Sequence, residues 1–226
     1  GQIVGAIKGM AEACRALSYP GVSGNVSLYN ETHGAGVQPT PAVGGVGLLA
    51  DGARRVGSAF TALGHSIFLI GETHGHLGSS LYLRDIVGSE EGAPPPVDLA
   101  LELKHGTMVR SLIEDGRLVS ACHDVSDGGL LVALAEMCLP RDIGAQVRFM
   151  SDVPMYAYGE DQARYLIAVP PNAKDEVMVR LNQADITFTD LGVTVPDLLI
   201  VEDVLRIPVA HLREVNETWL PGFMAA

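Results

Sequence analysis

The stretch SGNVSLYNET, residues 23–32, carries small polar side chains at a spacing that suits ligand binding. The alternating pattern predicts a strand over residues 22–29, in which Asn25 and Ser27 share one face, about 6.6 Å apart. Gly24, between Ser23 and Asn25, has no side chain, so a ligand could approach the backbone closely there. A strand whose polar face is simply solvated explains the same alternation.

The segment CHDVSDGGLL, residues 122–131, joins a predicted strand to a predicted helix. Ser126 or Asp127 is placed to cap that helix, and a helix N-terminus also attracts anions. The catalytic alternative makes His123 a general base oriented by Asp124, although neighbours on a strand point to opposite faces. The roles of these residues stay open at this point.

The loop GETHGHLGSS, Gly71 to Ser80, holds a glutamate, two histidines and three glycines after a short apolar strand. Such a composition permits a metal site or a phosphate cradle. It has no ligand spacing specific to a metal and lacks the P-loop lysine, so the signal is weak. We favour loop packing for this segment.

Charged side chains also cluster in YGEDQARYLI, at Glu160, Asp161 and Arg164. They stand directly before a predicted apolar strand. Charged residues between elements usually lie in water. We therefore predict a solvated turn there.

Strands and helices alternate along most of the chain, which predicts an α/β or α+β fold with helices over a mixed sheet. An apolar stripe predicts a first helix that ends near SYPG, residues 18–21. Further strands are predicted over residues 42–51 and in HSIFLIG, LVSAC, AQVRF, RYLIAVP, ITFTDLG and VLRIPV. Helices are predicted after the loop at residues 71–80, over residues 97–115, in LLVALAEMCL, over residues 174–183 and at the C-terminal end.

Composition and net charge argue against two classes, nucleic-acid-binding proteins and membrane-spanning proteins. The 226 residues are 47% hydrophobic and 19% charged, with a net charge of −12. That charge argues against a nucleic-acid partner, although it leaves a nucleotide ligand possible. No apolar run reaches the roughly 18 residues of a membrane span. The three scattered cysteines fit buried thiols in a reducing compartment, so we expect a cytoplasmic protein.

The N-terminal end of the sequence is unusual. The first residue is Gly1 rather than methionine, and the first predicted helix begins without a capping residue. We therefore expect the sequence to be a segment of a longer polypeptide.

Four segments together resemble one family: GMAEACRAL, SGNVSLYNET, PTPAVGGVGLL and HDVSDGGLLVALAEM. They are similar to the C-terminal part of the phosphoribosylformylglycinamidine synthase family (the synthetase subunit, FGAM synthase II), within the AIR synthase-related superfamily. GNVSLYNET followed by PTP is the most specific motif, whereas HDVSDGG is shared more widely. The resemblance implies that residues 1–62 end a second ferredoxin-like N-terminal domain. Residues 63–226 would then form a complete AIR-synthase-type C-terminal α/β sandwich domain.

The resemblance implies an ATP-dependent ligase of purine biosynthesis. In that family ATP and Mg²⁺ activate the amide oxygen of formylglycinamide ribonucleotide, and ammonia then displaces phosphate to give the amidine. The implied partners are a glutaminase subunit, a small accessory subunit and the N-terminal half of the same chain. The family's catalytic histidine and acidic Mg²⁺ ligands lie in that half. We therefore expect no catalytic residue here and no turnover from this chain alone.

Position by position, the resemblance makes Gly24 an ATP contact, Asn25 a Mg²⁺ ligand and Ser27 a contact to the ribonucleotide substrate. Mg²⁺ prefers carboxylate and phosphate oxygens, so a neutral amide oxygen would be an auxiliary ligand. Two alternatives remain: another ATP-dependent enzyme of the superfamily, or a non-catalytic scaffold domain used for assembly. An auxiliary nucleotide in the C-terminal domain and the oligomeric state stay open.

Overall fold

The computed structural model describes residues 1–149 and 153–225. The chain divides into two compact units, Gly1–Ala50 and Asp51–Ala226. The domain boundary that we place after residue 62 remains a prediction, since a division into compact units does not define a domain of the family.

The first unit contains one long helix and one short hairpin. Helix α1 spans Gln2–Ala16, as its apolar spacing predicts, and none of its residues is buried. Strands β1 (Glu31–Thr32) and β2 (Ala35–Gly36) pair antiparallel. His33 and Gly34 connect them with positive φ angles of 51° and 78°, the backbone that a tight two-residue hairpin turn requires.

Two predicted strands of the first unit are wrong. Residues 22–29 and 42–51 have no regular structure, and the pairing of β1 with β2 is the only ladder described in residues 1–50. A strand is stable only when its N–H and C=O groups pair with a neighbouring strand. The alternating pattern alone was therefore not enough to predict a strand. Asn25 and Ser27 do not share a pleated face.

The second unit is built on a seven-stranded sheet with the order β4-β6-β3-β7-β5-β8-β9. All neighbours pair antiparallel except β5 with β8, which are parallel. The strands are β3 (Ser66–Ile70), β4 (Ala121–Asp124), β5 (Ile143–Val147), β6 (Tyr165–Val169), β7 (Phe188–Pro196), β8 (Leu198–Val201) and β9 (Leu205–Pro208). The predicted mixed sheet is confirmed, and β8 is a strand that the sequence did not indicate.

Helices lie between most consecutive strands of the second unit, and one helix follows the last strand. They are a π-helical turn at Tyr82–Val87, α2 (Leu99–Asp115), α3 (Gly129–Cys138), α4 (Val153–Tyr158), α5 (Lys174–Gln183) and α6 (Val209–Met224). Short 3-10 turns lie at Gly52–Arg54, Leu139–Arg141 and Pro171–Ala173. Across the described ranges, no helix combines the length and hydrophobicity needed to cross a membrane.

The sheet separates two hydrophobic cores. In β3 alternate side chains enter opposite cores: Ile67 and Leu69 join one, Phe68 and Ile70 the other. Residues of α3, α4 and α6 line the first core, and residues of α2 and α5 line the second. Because both faces of β3 are apolar, its run SIFLI is fully buried. The predicted α/β sandwich is confirmed.

Candidate functional site

The segment predicted to bind ligands is open to solvent. Gly24, Asn25 and Ser27 are all exposed, and a Cβ atom placed on Gly24 would meet nothing within 4 Å. The side chains of Asn25 and Ser27 make no hydrogen bond to the described residues. Their amide and hydroxyl groups are thus free to bind a ligand, although strand geometry does not set their spacing.

The described residues do not by themselves form a Mg²⁺ site. Mg²⁺ in proteins usually takes one or two carboxylates together with phosphate oxygens and water. In residues 1–149 and 153–225, no three His, Cys, Asp or Glu side chains converge as a metal site. The role of Asn25 as a Mg²⁺ ligand stays a prediction, and its amide group would supply one neutral oxygen.

The predicted solvated turn before β6 is wrong. Asp161 and Arg164 are only 5% and 2% exposed. The Asp161 carboxylate accepts hydrogen bonds from the backbone N–H groups of His74 (3.1 Å), Gly75 (2.9 Å) and His76 (3.2 Å). A carboxylate buried with several N–H donors replaces its lost water with charge-assisted hydrogen bonds. This residue therefore fixes the glycine-rich loop of residues 71–80.

Arg164 lies beside Asp161 and binds backbone oxygens. Its Nε donates to the Asp161 carbonyl (3.0 Å) and its Nη2 to the Gly159 carbonyl (2.6 Å), while Nη1 donates to Thr73 Oγ1 (3.1 Å). Burial lowers the pKa of Arg164, and the Asp161 carboxylate 4.0 Å away opposes that shift. The guanidinium thereby joins the loop to the segment that precedes β6.

Glu160 performs a similar function for two helical segments. Its Oε1 accepts hydrogen bonds from Leu81 N (2.9 Å) and from Gly128 N (2.8 Å). The predicted capping of α3 by Ser126 or Asp127 is wrong, because the N-cap is Gly128 and neither side chain caps the helix. A carboxylate 32 residues further along the chain satisfies that N–H group instead.

His123 has both ring nitrogens directed at groups of its own chain. Nδ1 lies 2.7 Å from the Asp124 carbonyl oxygen, which can only accept, and 3.4 Å from an oxygen of the Asp124 carboxylate. Nε2 lies 3.3 Å from a carboxylate oxygen of Glu136 on α3. The histidine is thus held between β4 and α3, and the shorter contact of Nδ1 is to the Asp124 carbonyl oxygen rather than to the Asp124 carboxylate that the general-base hypothesis invokes.

Comparison with known proteins places this architecture in a family. The sequence profile of "AIR synthase related protein, C-terminal domain" matches residues 63–202. The chain belongs to that family. The resemblance inferred from the four motifs is therefore confirmed at the level of the family.

Among curated relatives, the chain is 52% identical over 99% of its length to phosphoribosylformylglycinamidine synthase subunit PurL of Bradyrhizobium sp. (strain ORS 278). The subunit of the same name from Parvibaculum lavamentivorans is also 52% identical, over 100% of the chain. The chain spans 31% of the length of each of these relatives.

Solved structures of PurL from T. maritima share the fold. The structure complexed with FGAR has a TM-score of 0.61 at 18% identity, covering 72% of this chain and 30% of that one. The structure complexed with ATP has a TM-score of 0.55 at 17% identity, covering 72% and 28%. At such low identity these likenesses establish the α/β fold of this family member and nothing more.

Proposed function

We propose that this chain is part of an ATP-dependent phosphoribosylformylglycinamidine synthase of purine biosynthesis. The parent enzyme converts formylglycinamide ribonucleotide, ATP and ammonia to formylglycinamidine ribonucleotide, ADP and phosphate. The observation that supports this most strongly is the 52% identity, over nearly the whole chain, to relatives that carry this enzyme's name. The description of T. maritima PurL as complexed with FGAR and with ATP is in keeping with the proposed substrates.

In the proposed enzyme, residues 23–27 form one wall of the substrate site. Gly24 lets the ATP phosphates approach the backbone, because no side chain fills the space beside it. The Asn25 amide oxygen supplies one ligand to Mg²⁺, which neutralises phosphate charge when bound. The Ser27 hydroxyl hydrogen-bonds the ribonucleotide. The exposure of all three side-chain positions supports these roles.

The chain acts together with other polypeptide segments in this proposal. ATP phosphorylates the amide oxygen of the substrate and leaves as ADP. Ammonia then attacks the amide carbon and displaces phosphate. A glutaminase subunit supplies the ammonia, and a small accessory subunit completes a cytoplasmic assembly. Phosphoryl transfer depends on positioning and charge neutralisation. One exposed wall provides little of either, so the chain alone has no turnover.

The test is Asn25→Ala in the full-length protein, compared with Asn182→Ala. Asn182 on α5 is also exposed, and its side chain makes no hydrogen bond to the described residues. We expect Asn25→Ala to weaken Mg²⁺-ATP binding about tenfold or more, as the loss of one ligand to a charged group does. Isothermal titration measures the nucleotide affinity, and ammonia-dependent ADP release measures the activity.

The thermal melt separates a binding role from a structural one. Asn25 is exposed, so its replacement should leave the melting temperature unchanged, and Asn182→Ala should alter neither binding nor melting. A lowered melting temperature with unchanged nucleotide affinity would make Asn25 a structural residue. Ammonia-dependent ADP release by the 226-residue chain alone, at a rate comparable to the full-length protein, would refute the proposed division of the active site.

A further inference from the structure

The loop of residues 71–80 has its backbone arranged as an anion-binding nest. Three successive N–H groups, those of His74, Gly75 and His76, point at one carboxylate at distances of 2.9 to 3.2 Å. Gly75 has a left-handed φ of +77°. Successive N–H groups around a left-handed residue form the concavity that binds phosphate in many proteins. Here the anion is Asp161 of the same chain.

The nest is closed around that carboxylate. Asp161 is 5% exposed and Arg164, which lies against it, is 2% exposed. A Cβ atom on Gly75 would lie 2.7 Å from the Cβ of Met155, so the loop is packed tightly on α4. The N–H donors and the guanidinium together place a concentrated positive potential at one buried point. Such a point requires an anion.

The residue before Asp161 extends the same arrangement. Glu160 accepts from Leu81 N and Gly128 N, so two adjacent carboxylates hold the loop, the turn at Tyr82–Val87 and the start of α3. The loop and the start of α3 are glycine-rich segments in which the sequence permits anion binding. In the structure the two carboxylates already accept hydrogen bonds from N–H groups of both segments.

We propose that Asp161 is a built-in anion for the loop of residues 71–80. Its carboxylate takes the place that a phosphate or other small oxyanion would occupy, and it excludes such ligands from the native loop. Removal of the carboxylate leaves a cavity lined by three N–H donors and Arg164, and this cavity binds a formate-sized anion. The proposal does not depend on the proposed ligase function.

Amide hydrogen exchange of the full chain, read residue by residue by NMR, tests this. In Asp161→Ala we expect the N–H groups of residues 74–76 to exchange about tenfold faster or more, because each loses a hydrogen bond to a buried charge. Millimolar formate should restore most of the protection. In the unaltered chain, inorganic phosphate and formate should leave these three amide signals unchanged.

Asp127→Asn is the matched control, since Asp127 is exposed and its carboxylate accepts no hydrogen bond from the described residues. It removes one negative charge near the same end of the sheet and should leave exchange at residues 74–76 unaltered and insensitive to formate. If Asp161→Ala does not fold, Asp161→Asn replaces it. Its amide group accepts fewer of the three hydrogen bonds, so we expect faster exchange confined to the loop.

Three outcomes would overturn the proposal. One is unchanged exchange at residues 74–76 in both Asp161 variants. Another is faster exchange in a folded Asp161→Ala chain that formate does not reverse, since the carboxylate would then act only through packing. The third is a shift of the amide signals of residues 74–76 in the unaltered chain on addition of inorganic phosphate, which would show that the nest is open to external anions.

Discussion

Two thiols show how burial governs the chemistry of single residues. Burial raises the pKa of Cys138 to about 12. It does the same for Cys122, where the nearby Asp124 carboxylate adds to the effect. The ordinary pKa of a cysteine thiol is 9.0. With the pKa raised to about 12, only roughly one such thiol in ten thousand is the reactive thiolate at pH 8. The predicted buried thiol is thus confirmed for Cys138, whereas Cys122 and Cys14 are partly exposed.

We predict that iodoacetamide at pH 8 modifies Cys14 first in the native chain. Cys122 and Cys138 should react only after denaturation, and peptide mass mapping over time would show this order. The folded state also holds the thiol protons of Cys122 and Cys138 more tightly than the unfolded state, because the pKa of each is raised. Their contribution to stability is therefore complete below pH 9 and is lost as the pH rises towards 12. Modification of Cys138 at the rate of Cys14 in the native chain would contradict the prediction.

Single-residue roles could be predicted from the sequence only where neighbours along the chain decide them. Asp161 and Arg164 were assigned to a solvated turn because charged side chains are usually exposed. The N–H groups that bind Asp161 lie 85 to 87 residues earlier in the chain. No local pattern reveals such partners. The sequence offers one signal of this packing: glycines stand before Glu160 and within residues 71–80, and close approach of two backbones favours glycine.

At the scale of elements, the start of α3 depends on close backbone packing. Gly129 has a left-handed φ of +74°, and a Cβ atom there would lie 2.7 Å from the carbonyl oxygen of Gly159 and 2.8 Å from the Cα of Tyr158. Gly64 has a similar φ of +75°, but a Cβ atom there would meet nothing within 4 Å. The two glycines therefore share the same left-handed backbone conformation, but only Gly129 lacks room for a side chain.

We predict that Gly129→Ala destabilises the chain much more than Gly64→Ala. The second change should cost about 1 kcal/mol through backbone conformation alone. The first adds a clash with backbone atoms, for a total above about 2 kcal/mol. Urea unfolding followed by circular dichroism gives both free energies. Equal losses for the two variants would mean that α3 can move away from the segment before β6.

Helices with a clear apolar period were predicted well, whereas some of the strands were not. Helix α5 spans Lys174–Gln183 as predicted, because its spacing is typical of an amphipathic helix. The short strand β8, Leu198–Val201, was missed because an apolar run of four residues gives no period of its own. The predicted strands over residues 22–29 and 42–51 failed because a strand depends on a partner that the local sequence does not specify.

At the scale of the whole molecule, the fold class followed from alternating strands and helices, whereas the strand order did not. Pairing of β3 with β6 and β7 joins residues about a hundred positions apart, and only side-chain packing across the sheet selects that arrangement. The candidate ligand segment was located through its motif. Its conformation in the described structure is not the one that its alternation predicts.

All fully buried side chains among the described residues belong to the second unit. None of residues 1–50 is buried, while both hydrophobic cores lie between Phe60 and Val209. Burial of apolar surface is the main source of folding free energy. A chain of residues 51–226 therefore retains both hydrophobic cores.

We predict that residues 51–226 alone unfold cooperatively, with a melting temperature within about 3 °C of that of the 226-residue chain, which corresponds to at most about 1 kcal/mol for a chain of this size. Circular dichroism melts of the two chains, read at one protein concentration, test this. Val177→Ala, in the core under α5, is the control for sensitivity, because loss of two buried methyl groups should lower the melting temperature in both chains by a similar amount. A broad transition for residues 51–226, with dye-accessible apolar surface, would mean that residues 1–50 help to hold the second unit together despite their exposure.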